Sequence, residues 1–190
     1  MDIPVVRQSL RQKLETIVGE RSPASGQRHL AAVEAFIESE FQRYGLKVER
    51  DVFVYRGRHF HNIIGSLNAS PKGPPVILGA HFDAVENTPG ADDNASGVAV
   101  LLETARILAQ AKLRMPLHCC AFNLEEWNMI GSTHFARKLK AAGVKLAAMI
   151  SLEMVGYIDA RQGRHKFACR SLPNDRVGLV TFSSPDRLKK

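Results

Sequence analysis

In this chain of 190 residues, side chains of the types that bind metal ions or move protons stand where three apolar runs end and in one loop between them. The run Pro75-Val76-Ile77-Leu78-Gly79-Ala80 leads into His81-Phe82-Asp83, the stretch Leu117 to Asn123 into Glu125-Glu126, and Ala147 to Leu152 into Glu153. Between the first run and the next helical pattern lies the loop Gly90-Ala91-Asp92-Asp93-Asn94-Ala95-Ser96-Gly97. One imidazole and several carboxylates brought together raise each other's cost of ionisation, and a divalent cation resolves that conflict. Nitrogen and oxygen donors together favour zinc, with manganese or cobalt chemically acceptable. His81 and Asp83, two residues apart, share one face of a strand, so Asp83 is placed to accept the second ring N–H of His81 and fix its tautomer. Adjacent Glu125 and Glu126 point in different directions, which lets one bind metal while the other acts as a general base on water. Adjacency alone does not say which is which. Singly, each element has an ordinary explanation: a surface His-x-Asp pair, a solvated helix start, or a turn with Asn94 or Ser96 as N-cap. Acids at three separate strand ends have no such explanation.

The elements that must position these groups read as follows. Apolar spacing predicts a helix over 4–18 and a second whose apolar face starts at Leu30 and which ends at Gly45. Segments 47–55 and 61–67 are rich in β-branched and aromatic residues around a Gly-containing connector, which predicts a hairpin. From 75 onward, strands at 75–80, 117–123 and 147–152 alternate with helices over 97–112 and 130–142, the texture of βαβ units. The fold class is therefore α/β, a three-layer α/β/α arrangement around a mostly parallel mixed sheet. In such sheets ligands bind at the carboxyl ends of the strands, where the acids lie. The sequence beyond Asp159 shows no clear period. These patterns predict a catalytic domain over 1–160 and a basic tail over 161–190.

The formal net charge is +7. Residues 1–160 carry 18 basic and 17 acidic residues, while residues 161–190 carry 8 and 2. The excess thus sits in the tail, beside only Tyr157, Phe167 and Phe182, with no stacking motif to suggest nucleic acid. No apolar run approaches a membrane span, and the first residues lack a secretory signal, which predicts a cytoplasmic protein with neither membrane nor nucleic acid as partner. Cys119, Cys120 and Cys169 read as buried thiols in a reducing compartment, the two neighbours on opposite faces of a strand. Nothing in the sequence sets an oligomeric state.

The stretches GAHFD (79–83), PGADDNASG (89–97), NLEEWNMIGS (123–132) and SLEMVGY (151–157) resemble the co-catalytic dizinc aminopeptidases, relatives of bacterial leucyl aminopeptidases and glutamate carboxypeptidases. The resemblance implies a phosphorylase/hydrolase-like zinc exopeptidase fold and two zinc ions. It implies His81 and Glu153 as ligands of one ion, Asp93 as the bridging carboxylate and Glu126 as a ligand of the second. It further implies Glu125 as general base, Asp83 as the residue that orients the histidine, and a cis peptide bond between Asp93 and Asn94. The reaction implied is metal-assisted hydrolysis of a peptide substrate at its N-terminal bond.

The chain departs from the family pattern in one place. The second metal's histidine, expected in a Ser-Asp-His context well after Glu153, has no counterpart; His165 stands in a Gly-Arg-His-Lys setting and reads as a surface residue. This predicts low affinity at the second position, weak turnover, and a chain incomplete at its C-terminal end. The alternatives are a non-catalytic homologue or binding module, a related amidohydrolase or dipeptidase, and a glutaminyl cyclase. Dipeptidases typically continue the aspartate loop with Lys-Gly rather than Asn-Ala-Ser-Gly, and glutaminyl cyclases bind a single zinc without a ligating histidine at the position of His81.

Overall fold

A computed structural model describes residues 3–67 and 73–156 in full, and the backbone of 168–170 and 179–182. Seven strands among these residues form one sheet in the order β1-β2-β4-β3-β5-β7-β6: β1 (Lys47–Tyr55), β2 (Arg58–Leu67), β3 (Val76–His81), β4 (Leu117–Phe122), β5 (Ala148–Leu152), β6 (Ala168–Arg170) and β7 (Leu179–Phe182). β3 runs parallel to β4 and β5, and β7 parallel to β5. The hairpin β1/β2, its junction with β4, and β6 against β7 are antiparallel. The sheet is thus mixed, parallel in its centre and antiparallel at both edges. The hairpin turns at Arg56-Gly57, both with positive φ, so β2 begins three residues earlier than its apolar content suggested. β6 and β7, at three and four residues, are too short to show a period, which is why the stretch beyond Asp159 revealed none.

Four helices flank the sheet: α1 (Ile3–Ile17), α2 (Gln27–Arg43), α3 (Gly97–Leu108) and α4 (Ile130–Ala141). Alternation along the buried strands sorts side chains between two cores. Ile63, Leu78, Ala80, Cys119 and Ala121 face α1, α2 and α3, packing with Ile17, Ile37, Phe41, Leu101 and Leu102. Ile64, Ile77, Cys120 and Phe122 face α4 and its Phe135. Cys119 and Cys120 accordingly lie on opposite faces, free and buried; burial pushes the Cys119 thiol up to about 12. The three-layer α/β/α arrangement follows from this sorting. No helix of the described residues is long and apolar enough to cross a membrane.

Between α1 and α3 the layer is fastened by charge. Glu103, 3% exposed, accepts from Lys13 Nζ at 2.9 Å, Ser9 Oγ at 2.7 Å, and Arg106 at 3.0 and 2.6 Å. Burial alone would raise this carboxyl, but the donors outweigh it and hold it down to about 2. Its folded pKa lies below its ordinary value of 4.5, so its stabilisation is present above that pH and is lost as the pH falls through about 2. Glu103→Gln, which leaves Lys13 buried without its counter-charge, is expected to lower the unfolding free energy at pH 7 by roughly 3–5 kcal/mol. Urea melts should show the two proteins converging below about pH 2; a gap that persists there would place the stabilisation elsewhere.

Candidate metal centre

Parallel pairing of β3 with β4 and β5 brings the three strand ends to one edge, with His81 opposite Phe122 and Gly79 opposite Ser151. The chain leaves each strand through backbone that re-aims the acids: Leu124, just before Glu125, has φ +57, and Met154, just after Glu153, has φ +48. Such left-handed residues without glycine cluster at functional sites. The aspartate loop folds as an irregular helical turn, Ala91–Ser96, ahead of α3, and the Asp93–Asn94 peptide bond is cis, as the resemblance implies.

His81, 3% exposed, is the hub. Its Nε2 lies 3.1 Å from Asp93 Oδ1, 3.5 Å from Glu153 Oε2 and 3.9 Å from Glu125 Oε2. On the other side of the ring, Nδ1 faces the Asp83 carbonyl at 3.2 Å and Asp83 Oδ1 at 3.5 Å. Burial opposes charge on this imidazole, but its hydrogen bonds to Asp83, Asp93 and Glu153 prevail and raise its pKa well above the ordinary value. Two groups offer ligand atoms all within 4.8 Å of one another: His81 with Asp93 and Glu153, and His81 with Glu125 and Glu126.

Asp83 does more than face the histidine. Fully buried, its two oxygens accept the backbone N–H groups of Glu125 at 3.0 Å and Glu126 at 3.1 Å. One carboxylate therefore anchors both halves of the glutamate pair and borders His81. From the other side, buried Asn62 accepts the N–H of Asn123 at 3.0 Å and donates to Gly131 O at 3.0 Å, closing the loop that carries the pair. All six residues singled out from the sequence are thus brought to one place. His165 lies outside the described residues.

The donor set suits a cation. Burial, then the charge of Asp93, pushes the Glu126 carboxyl up to about 7, and its buried Oε1 has no hydrogen-bond partner among the described residues. Carboxylates crowded around one imidazole, with a buried oxygen left over, are what a divalent ion would neutralise and ligate. The all nitrogen and oxygen composition fits zinc.

One residue of the site's support has no signal in the motifs. Arg21 is completely buried and donates from Nε to Phe82 O (2.8 Å), from Nη1 to the carbonyls of Ile17 (2.9 Å), Gly19 (2.6 Å) and Pro89 (3.0 Å), and from Nη2 to Gly90 O (2.8 Å). Burial lowers its pKa to about 10, against the opposing charges of Asp83 and Asp93. The guanidinium clamps the loop after α1 to the exits of β3 and to the entrance of the aspartate loop. Gly90 (φ +54) permits this approach, since a Cβ there would meet Arg21 Nη2 and Ala84 Cβ at 2.6 Å.

Comparison with known proteins bears on this arrangement. The family described as peptidase family M28 matches residues 62–167, more than half of the chain. A probable zinc metalloprotease of Pyrenophora tritici-repentis is 42% identical over 134 residues, covering 66% of this chain and 30% of its own. Aminopeptidase YwaD of Bacillus subtilis is 37% identical over 136 residues, covering 64% and 30%. Among solved structures, glutaminyl cyclase from Porphyromonas gingivalis superposes with a TM-score of 0.65 at 27% identity, covering 82% of this chain and 60% of that one. The chain therefore spans less than half the length of these two relatives.

Proposed function

The chain belongs to peptidase family M28, and from that premise we propose that it is a zinc-dependent exopeptidase, an aminopeptidase hydrolysing the N-terminal bond of peptides. The observation that carries this reading is the convergence of Asp93, Glu153 and Glu125 on one ring nitrogen of His81, at 3.1, 3.5 and 3.9 Å. In this reading His81, Asp93 and Glu153 would hold one ion and Glu126 would help hold a second, weaker one, with Asp93 available to both. When bound, zinc supplies Lewis-acid polarisation of the scissile carbonyl and lowers the pKa of water toward neutrality. Glu125 takes a proton from the attacking water on a carboxylate oxygen and returns it to the leaving amine. Asp83 keeps that carboxylate in place through the Glu125 and Glu126 amides and keeps Nδ1 of His81 oriented. Manganese or cobalt would satisfy the same donors.

A second reading is favoured by the likeness to glutaminyl cyclase: cyclisation of an N-terminal glutamine with release of ammonia. Against it stands His81, whose Nε2 is turned into the carboxylate cluster. One assay separates the two. Purified chain, stripped of metal and reloaded with zinc, is incubated with aminoacyl-anilides and with a peptide that begins with glutamine. The aminopeptidase reading expects slow, zinc-dependent release of the aniline and no ammonia. Ammonia release from the glutamine peptide, without anilide cleavage, would overturn it in favour of the cyclase.

A further inference from the structure

The aspartate loop supplies more than the Asp93 carboxylate. Its polar side chains at alternate positions reach 58 to 64 residues along the sequence to the segment around Glu153. Asn94, completely buried, donates from Nδ2 to Leu152 O at 2.8 Å and accepts Met154 N–H on Oδ1 at 3.2 Å. One side-chain amide thus grips the backbone on both sides of Glu153. Ser96 Oγ accepts Val155 N–H at 3.1 Å while donating to Asp92 O at 2.7 Å, and Asp92 Oδ1 accepts Gly156 N–H at 2.8 Å. Three consecutive amides after Glu153 therefore end on three side chains of one loop. Gly156 is required by the closeness of the fit, since a Cβ there would stand 2.9 Å from Ser96 Cβ and 3.1 Å from Asp92 Oδ1.

The geometry points to Asp92, Asn94 and Ser96 as positioning residues that fix Glu153 against Asp93 and His81, an inference that rests on the metal reading above. A metal ligand needs its orientation held by bonds to its surroundings, and for Glu153 those bonds come from the same loop that carries Asp93. The glutamate pair is anchored separately, by Asp83. Asp83 also borders His81, while the Asn94 anchor alone reaches both sides of Glu153, so damage to the Asn94 anchor falls first on the ion that His81, Asp93 and Glu153 would hold and less on the one at Glu126.

The test uses the metal-free 190-residue chain titrated with zinc by calorimetry, comparing wild type, Glu153→Ala, Asn94→Ala, Asp92→Ala and Asp92→Asn. Asn94→Ala is expected to weaken about 10–100-fold the same ion that Glu153→Ala removes, with the other weakened less. Asp92→Ala should weaken that ion less, and Asp92→Asn, which keeps an acceptor oxygen, should restore it. Hydrogen exchange on the metal-free proteins supplies a readout independent of metal: the Met154 amide exchanges faster in Asn94→Ala, and the Gly156 amide in Asp92→Ala but not in Asp92→Asn, while β3 and β4 amides stay protected. Should Asn94→Ala fail to fold, the half-buried position 92 carries the comparison. If Asn94→Ala and Asp92→Ala bind both ions as wild type does while Glu153→Ala loses one, the positioning role is overturned and the metal reading stands. A wild-type chain that takes up no zinc overturns the metal reading, and this inference with it.

Discussion

Glu125→Gln is expected to lower peptide turnover by about 10²–10⁴-fold, the usual contribution of a positioned general base, and to leave zinc affinity nearly unchanged. The substitution preserves the shape of the side chain and removes only its capacity to accept and return a proton. The backbone N–H of residue 125 would still bond Asp83, as Glu125 does at 3.0 Å, so the loop keeps its course and Glu126 its place. A simple loss of structure would depress zinc binding as well as turnover; the expected pattern is loss of turnover alone, read as kcat against the zinc titration. Wild-type rates in this variant would mean that Glu125 is not the base. Loss of an ion would instead assign Glu125 as a ligand, the role suggested by its grouping with His81 and Glu126.

Asp93→Ala is expected to have the second-largest effect. Asp93 lies 3.1 Å from His81 Nε2 and its charge helps raise the Glu126 carboxyl, and the proposed reading shares it between the two ions. Removing it should cost both ions their shared ligand and, with them, the several kcal/mol of transition-state stabilisation a metal supplies, a loss on the order of 10³-fold or more in turnover. The apo protein should not suffer equally, because like-charge repulsion around Glu126 falls when a neighbouring carboxylate is removed. Thermal melts of the metal-free chains check this: Asp93→Ala should melt near wild type, the relief at Glu126 offsetting the lost bond to His81. A variant that keeps wild-type turnover would show that Asp93 is not shared.

The chemistry of the site was legible because it is written in side chains at strand ends. Alternation and helical spacing located β3, β4 and β5, and parallel pairing converts their C-terminal positions into neighbours, so His81, Glu125-Glu126 and Glu153 could be read together. What holds them there was far less visible. Asn94 and Ser96 invite a local reading as helix N-caps, and Asn94 Oδ1 does accept Gly97 N–H at 3.0 Å; their bonds to residues 152–155 depend on tertiary placement that no spacing encodes. Asp83 was legible as a partner of His81, while its grip on two backbone amides was not, because amides carry no residue signature. Arg21 is the extreme case: all five of its bonds end on carbonyls, so no residue pattern marks this fully buried arginine.

The number of zinc ions bound per chain at equilibrium tests the account most directly. Dialysis against buffered zinc, followed by metal analysis, should find two ions of unequal affinity in the wild-type chain, the tighter one lost in Glu153→Ala and both lost in Asp93→Ala. A wild-type chain that binds no zinc, or an Asp93→Ala chain that keeps both ions, would contradict it.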